Sequence, residues 1–247
     1  MRKLVLAIAA FEMLVLISCT SVNTQMLISS ASVNAQKYID YYKDNPAFGL
    51  QSGSVSTLNE SNKRELIEKL GMPKTEMDIL KRTVIMMAND YKNTSPVDGA
   101  KVRNINTIIE TKELRHCGEY GVLWLGVLRL YGIPCVYIQT LRAEDVNGTS
   151  SWSGHVFIEC WIDNQVILID STMGVVYKGY NDSEEIIPVK VGNTFATMGM
   201  IEMFRCYDPG DIMGSKDFVF TTYVEKARDY YRKNGGEIEE FLVPIKL

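Results

Sequence analysis

The chain has 247 residues, a formal net charge of −4, 46% apolar content and 23% charged residues. Those values exclude a wholly disordered chain, and the lack of any basic patch or stripe argues against a nucleic-acid partner. Lysines and arginines alternate with acids, as in KRELIEK and EKARDYYRK, which reads as solvated helix faces. Five cysteines, two histidines and no CxxC pair argue against a dense disulfide framework and a structural metal site. Neither a metal nor a cofactor is expected.

The chain opens with a positive end, Met1-Arg2-Lys3, and an apolar run, Leu4–Ser18, broken by Glu12. Residues 1–18 read as a signal peptide for export, too short and flawed for a comfortable membrane span. Leu16-Ile17-Ser18-Cys19 resembles a bacterial lipobox (residues 16–19). That resemblance implies lipidation at Cys19, membrane attachment through the lipid, and a place in the cell envelope facing periplasm or exterior. An uncleaved anchor and cleavage before Gln36 are the alternatives. Residues 19–36 are small and polar and read as a tether. Residues 37–247 read as a single domain.

Helical patterns come first. SNKRELIEKLG predicts a short helix ending at Gly71. In TEMDILKRTVIMMANDYK, Thr75 and Asp78 suit a capping box, and Met77, Leu80, Val84, Met87 and Tyr91 recur at helical spacing as a core stripe. NINTIIETKEL suggests another short helix. CGEYGVLWLGVLRL is a very apolar helix with a cysteine at its start and glycines at 118, 121 and 126. Gly132 and Pro134 end it. Strand patterns follow. CVYIQTL is rich in β-branched and aromatic residues, and HVFIECWI and VILIDST flank Asp163-Asn164-Gln165 as a hairpin. A possible strand IIPVKV, a Met-rich stretch, a helix YVEKARDYYRK and a last strand EFLVPIKL complete the chain. Helices followed by strands indicate an α+β fold. Cys135 and Cys160 fall on predicted strands and are the one candidate disulfide.

A thiol at a helix start meets the positive end of the helix dipole and free backbone N–H groups, which favour the reactive thiolate. The same N–H groups can hold an oxyanion. Cys117 occupies such a position, with Gly118 and Gly121 expected to keep the first turn open. Of the two histidines, His116 is adjacent and should point away, and it receives no role. His155 begins a strand downstream. Asp170 ends the paired strand, so the hairpin brings it near His155, where a carboxylate can fix the imidazole tautomer.

These segments resemble the transglutaminase-like superfamily, whose fold is related to papain-like cysteine proteases. The resemblance is carried by Cys117, Leu128, Arg129, Gly132, Ile133, Pro134, His155 and Asp170, with a catalytic core over about residues 104–172. It implies a central Cys-bearing helix, preceded by N-terminal helices, packed on an antiparallel β-sheet. It further implies Cys117 as nucleophile, His155 as general base and then acid, Asp170 as orienting carboxylate, and a thioester intermediate. Two positions depart from the family pattern: Val156 replaces a common alanine and Ser171 a common proline.

The expected function is an exported cysteine-dependent acyl-transfer enzyme acting on peptide or protein amide bonds, by hydrolysis or transamidation. The alternative is an inactive module of the same fold that binds at the cell surface. Trp152, Glu119 and Trp161 are candidates to line a substrate groove. For Glu119 the competing reading is helix electrostatics, and for the tryptophans core packing. Asn104 and Asn106 are upstream amides with no assigned role, so the second oxyanion donor has no candidate. The acyl acceptor, the oligomeric state and the part played by residues 173–247 do not follow from the sequence.

Overall fold

The computed structural model describes residues 48–94, 101–142, 154–163, 165–178, 188–191, 199–214, 220–233 and 241–245. Helix α1 is Glu60–Leu70. The Asn59 side chain accepts from Asn62 N–H at its start, and Gly71 ends it with φ +65°, a value that favours glycine. Helix α2 is Glu76–Asp90, capped by Thr75, whose hydroxyl accepts from Asp78 N–H. Leu80, Met87 and Tyr91 of the anticipated stripe are buried, and Met77 and Val84 pack at its edge. Two-residue strands β1 (Lys92–Asn93) and β2 (Glu113–Leu114) pair in parallel around α3 (Ile105–Thr111).

Helix α4, Cys117–Leu130, is the centre of the molecule. Val122–Val127 and Leu128 are inaccessible to solvent apart from the glycine within that stretch, which is also buried. One side of α4 packs on the sheet and the other on α3 and α2. A helix that is apolar all round is stable only when covered all round, and that explains a sequence with so little polar face. Its glycines are contact points. A Cβ on Gly121 would come within 2.7 Å of a Val156 methyl and 2.9 Å of the Tyr137 ring. One on Gly118 would meet a Val102 methyl at 2.9 Å, and one on Gly126 the end of Ile105. The expectation that Gly118 and Gly121 leave space for substrate is therefore corrected. Both are buried, and their missing side chains let the helix lie close against its neighbours.

The strands follow: β3 (Cys135–Arg142), β4 (Gly154–Ile162), β5 (Gln165–Asp170), β6 (Val176–Lys178), β7 (Pro188–Val191), β8 (Gly199–Cys206) and β9 (Phe241–Ile245). The anticipated β4–β5 hairpin is present, turning at Asp163 with φ +49°. The sheet is antiparallel except for one parallel pair, β7 with β9, and β8 returns to pair with β3. These described strands thus close into a barrel. The later ones come from residues after Thr172, and this is their contribution to the fold. Two short helices' worth of chain links them: α5 (Pro209–Met213) and the longer α6 (Phe220–Lys233).

Asp208 ties this second half back to the first. Its buried carboxylate accepts from the Gly53, Val55, Ser56 and Gly210 amides. Cys135 and Cys160 stand directly opposite each other in the β3–β4 register, and both are buried free thiols.

Replacing Gly121 with alanine should force Tyr137 and β4 away from α4. Overpacking of this kind costs about 1–3 kcal/mol, which urea denaturation would read as a lower midpoint with an unchanged slope.

Candidate active site

The site is built at the first turn of α4. Cys117 is the first helical residue and is half-buried at the edge of the core. The helix is capped by His116, whose Nδ1 accepts from Gly118 N–H at 3.2 Å. The His116 carbonyl takes the Glu119 amide at 2.9 Å.

Strands β4 and β5 bring the other two groups. Asp170 lies opposite Phe157 in the register, one side-chain row from His155 on the same face. His155 Nε2 donates to Asp170 Oδ1 at 2.8 Å. With Nε2 committed to the carboxylate, Nδ1 is the ring nitrogen left over, and Cys117 is near enough to bear on the titration of the ring. The Phe157 ring meets the imidazole edge-on, with centroids 5.2 Å apart. Burial by itself would lower the His155 pKa; hydrogen bonding and charge from Asp170 and Cys117 outweigh it and raise the value to about 9. These contacts favour the imidazolium form of the ring.

Asp170 is itself fixed. Its Oδ1 also accepts from the Thr172 and Met173 amides at 3.1 and 3.0 Å. Next to it, Ser171 is fully buried. Its hydroxyl lies 2.8 Å from the Val156 carbonyl and 3.2 Å from the Cys117 carbonyl, and its own carbonyl accepts the Trp124 indole N–H at 3.0 Å. The two positions that depart from the family pattern therefore meet each other, and Ser171 ties the helix that begins at Cys117 to the strand that carries His155. Behind β4, Gln139 Nε2 and Thr140 Oγ1 both donate to the His155 carbonyl.

The remaining sequence candidates lie elsewhere. Glu119 is fully buried, clasped by Arg103 through both carboxylate oxygens and by Arg115 through its guanidinium and amide. Burial would raise its pKa, but the two guanidiniums hold it down at about 2. It faces arginines. Trp161 packs at the edge of the cluster formed by Val136, Phe157 and Leu168. Asn104 caps α3 and donates to the Ser54 carbonyl, and Asn106 binds Asn59, Asn62 and Thr57. Asn106 clamps α1 to α3, and Asn104 ties the start of α3 to the turn at Ser54. Trp152 and Cys19 lie outside the described residues, as does the rest of the leader and tether. His116, Ser171, Arg103 and Arg115 are the residues that sequence reading left without a part in the site. Adjacency to Cys117, Asp170 or Glu119 was the available signal.

Residues 64–170 match a family model described as the transglutaminase-like superfamily. A solved structure of a candidate cysteine protease from Cytophaga hutchinsonii is similar at 16% sequence identity and a TM-score of 0.44, over 66% of this chain and 47% of that one. This chain spans about half the length of that protein. No curated protein matches.

Because the chain has two histidines, a ring-nitrogen NMR titration can follow His155 directly. It should stay charged below and become neutral above about pH 9. In Asp170→Asn, burial loses its main opponent, so the midpoint should fall by at least about one unit. An unchanged midpoint would mean that the carboxylate does not support the imidazolium.

Proposed function

We propose that this chain, whose residues 64–170 match the transglutaminase-like family model, is a cysteine-dependent acyl-transfer enzyme. Its substrate is a peptide or protein amide, and its product arises by hydrolysis or by transfer to an amine. The observation that supports this reading is the arrangement around His155: a carboxylate on Nε2, and a thiol at the start of a buried helix near enough to bear on the ring's titration.

In the proposed reaction the Cys117 sulfur, as thiolate, attacks the amide carbonyl carbon. The carbonyl oxygen becomes an oxyanion beside the Cys117 N–H, which no acceptor among the described residues engages, and the positive end of α4 stabilises it. As the C–N bond breaks, the His155 imidazolium gives its proton to the departing amine, leaving a thioester on Cys117. Water or an amine then attacks the thioester, His155 takes the proton from that nucleophile, and the Cys117 thiolate leaves. Asp170 keeps the ring oriented and supports its charged form throughout. The raised pKa suits this order, because the proton needed by the leaving amine is already on the ring.

The leader pattern at residues 1–19 supports a second part of the proposal: export, with lipid attachment at Cys19. Mass spectrometry of the mature N-terminus tests it, an unmodified or later-starting chain counting against it.

Iodoacetamide near neutral pH should label Cys117 at least about a hundredfold faster than Cys135, Cys160 or Cys206, since burial pushes those three thiols up in pKa. Cys117→Ala should lose turnover on trapped peptide substrates by about 10³-fold or more while melting within a few degrees of the parent. Slow, equal labelling of all thiols, or a retained groove with no Cys117-dependent turnover, would instead indicate a non-catalytic binding module.

A further inference from the structure

The residue at the helix cap is unusual in kind. Helix N-caps are most often serine, threonine, aspartate or asparagine, with the acids favoured by the dipole. Here the cap is His116, one residue before the sulfur proposed to attack. Its Nδ1 accepts from Gly118 N–H at 3.2 Å, which an imidazole can do only when that nitrogen carries no proton. The Nε2 atom is enclosed and has no hydrogen-bond partner in good geometry.

The charged groups that face the ring are Glu119 from α4, Arg115 from its own segment and Arg103 from the segment entering α3. The backbone of Lys101 lies nearby, and Val102 packs against the same turn. Burial lowers the His116 pKa; Glu119 and hydrogen bonding to the Lys101 backbone pull against it, and the two guanidiniums add smaller downward pushes. Glu119 meanwhile spends its negative charge on those same guanidiniums.

We infer that His116 is a positioning residue that caps the Cys117 helix as a neutral imidazole, so that the cap donor is satisfied without an anion beside the sulfur. A carboxylate at this position would satisfy Gly118 N–H equally well. It would also set a negative charge next to the forming thiolate and offset the dipole that stabilises it. The neutral cap leaves the positive end of α4, and the Cys117 N–H that no described residue engages, to the sulfur and to the oxyanion. His116 and His155 thereby take opposite states at neutral pH: one imidazole uncharged at the cap, the other an imidazolium on the thiol. The inference rests on Cys117 being the nucleophile.

The test compares His116→Asn with His116→Asp in the full chain, using iodoacetamide alkylation of Cys117 from pH 4 to 9. Both replacements are good caps, so a merely structural role predicts equal melting temperatures and equal alkylation profiles. The neutral-cap role predicts that Asn stays within about twofold of the parent, while Asp slows alkylation about tenfold at acidic pH. Equal profiles for the two variants overturn the inference. Ring-nitrogen NMR of the unmutated protein gives a second reading that needs no variant to fold. His116 as the neutral Nε2–H tautomer at pH 7 supports the neutral cap, and a charged or Nδ1–H ring overturns it. If Cys117 of the parent is itself unreactive, the functional proposal fails, and the NMR reading still decides the state of the cap.

Discussion

The close approach of α4 to the sheet is the constraint on which the rest of the molecule depends. The helix is buried on every side, so its position is set by packing, and at Gly121 nothing but a hydrogen stands between its backbone and the side chains of Val156 and Tyr137. Protein interiors yield little to such contacts. A helix pinned in this way carries Cys117 to one place at the rim of β4. Ser171 reinforces the pin with polar contacts, since it touches the Val156 and Cys117 carbonyls and receives the Trp124 indole. Packing and hydrogen bonds thus specify the same geometry at the point where the helix start meets the strand that bears His155.

Electrostatics at that meeting point are arranged in pairs. His155 gains its charge from Asp170 on one side and Cys117 on the other, against the cost of burial. Glu119, which would otherwise be a second anion in the first turn of α4, is held between Arg103 and Arg115. Buried charges persist when each has a partner and its hydrogen bonds are filled. The effect is local: the carboxylate nearest the thiol in sequence is neutralised by two guanidiniums, and the carboxylate that acts on the thiol does so through an imidazole.

The second half of the chain serves the first through closure. Strand β8 pairs with β3 beside the α4 packing surface, and Asp208 just after it binds the amides of Gly53, Val55 and Ser56. Arg129 near the end of α4 donates to the Tyr207 and Cys135 carbonyls and to Ser56. The far end of α4 is therefore anchored by residues distant in sequence, while its near end is held by β4 and β5. Closure also removes the sheet edges that β3 and β5 would otherwise expose.

What the sequence determined by itself was local and periodic. The apolar run after Cys117 demanded a buried helix, Thr75 and Gly71 marked helix ends, and the Asp163 turn between two apolar segments placed Asp170 near His155. Each of these follows from steric and hydrogen-bonding rules that act over a few residues. Tertiary structure alone decided the rest. Whether Gly121 opened space or permitted contact depended on Val156 and Tyr137 arriving from other elements. Whether Glu119 faced a groove or a pair of arginines depended on where the segment before α3 ran. His116 became a cap because the helix began one residue later, and Ser171 became a bridge because two strands and a helix converge on it. The return of β8 to β3 was likewise invisible, because pairing between distant strands is set by which surfaces remain to be covered once the helix has packed, and no short stretch of sequence carries that information.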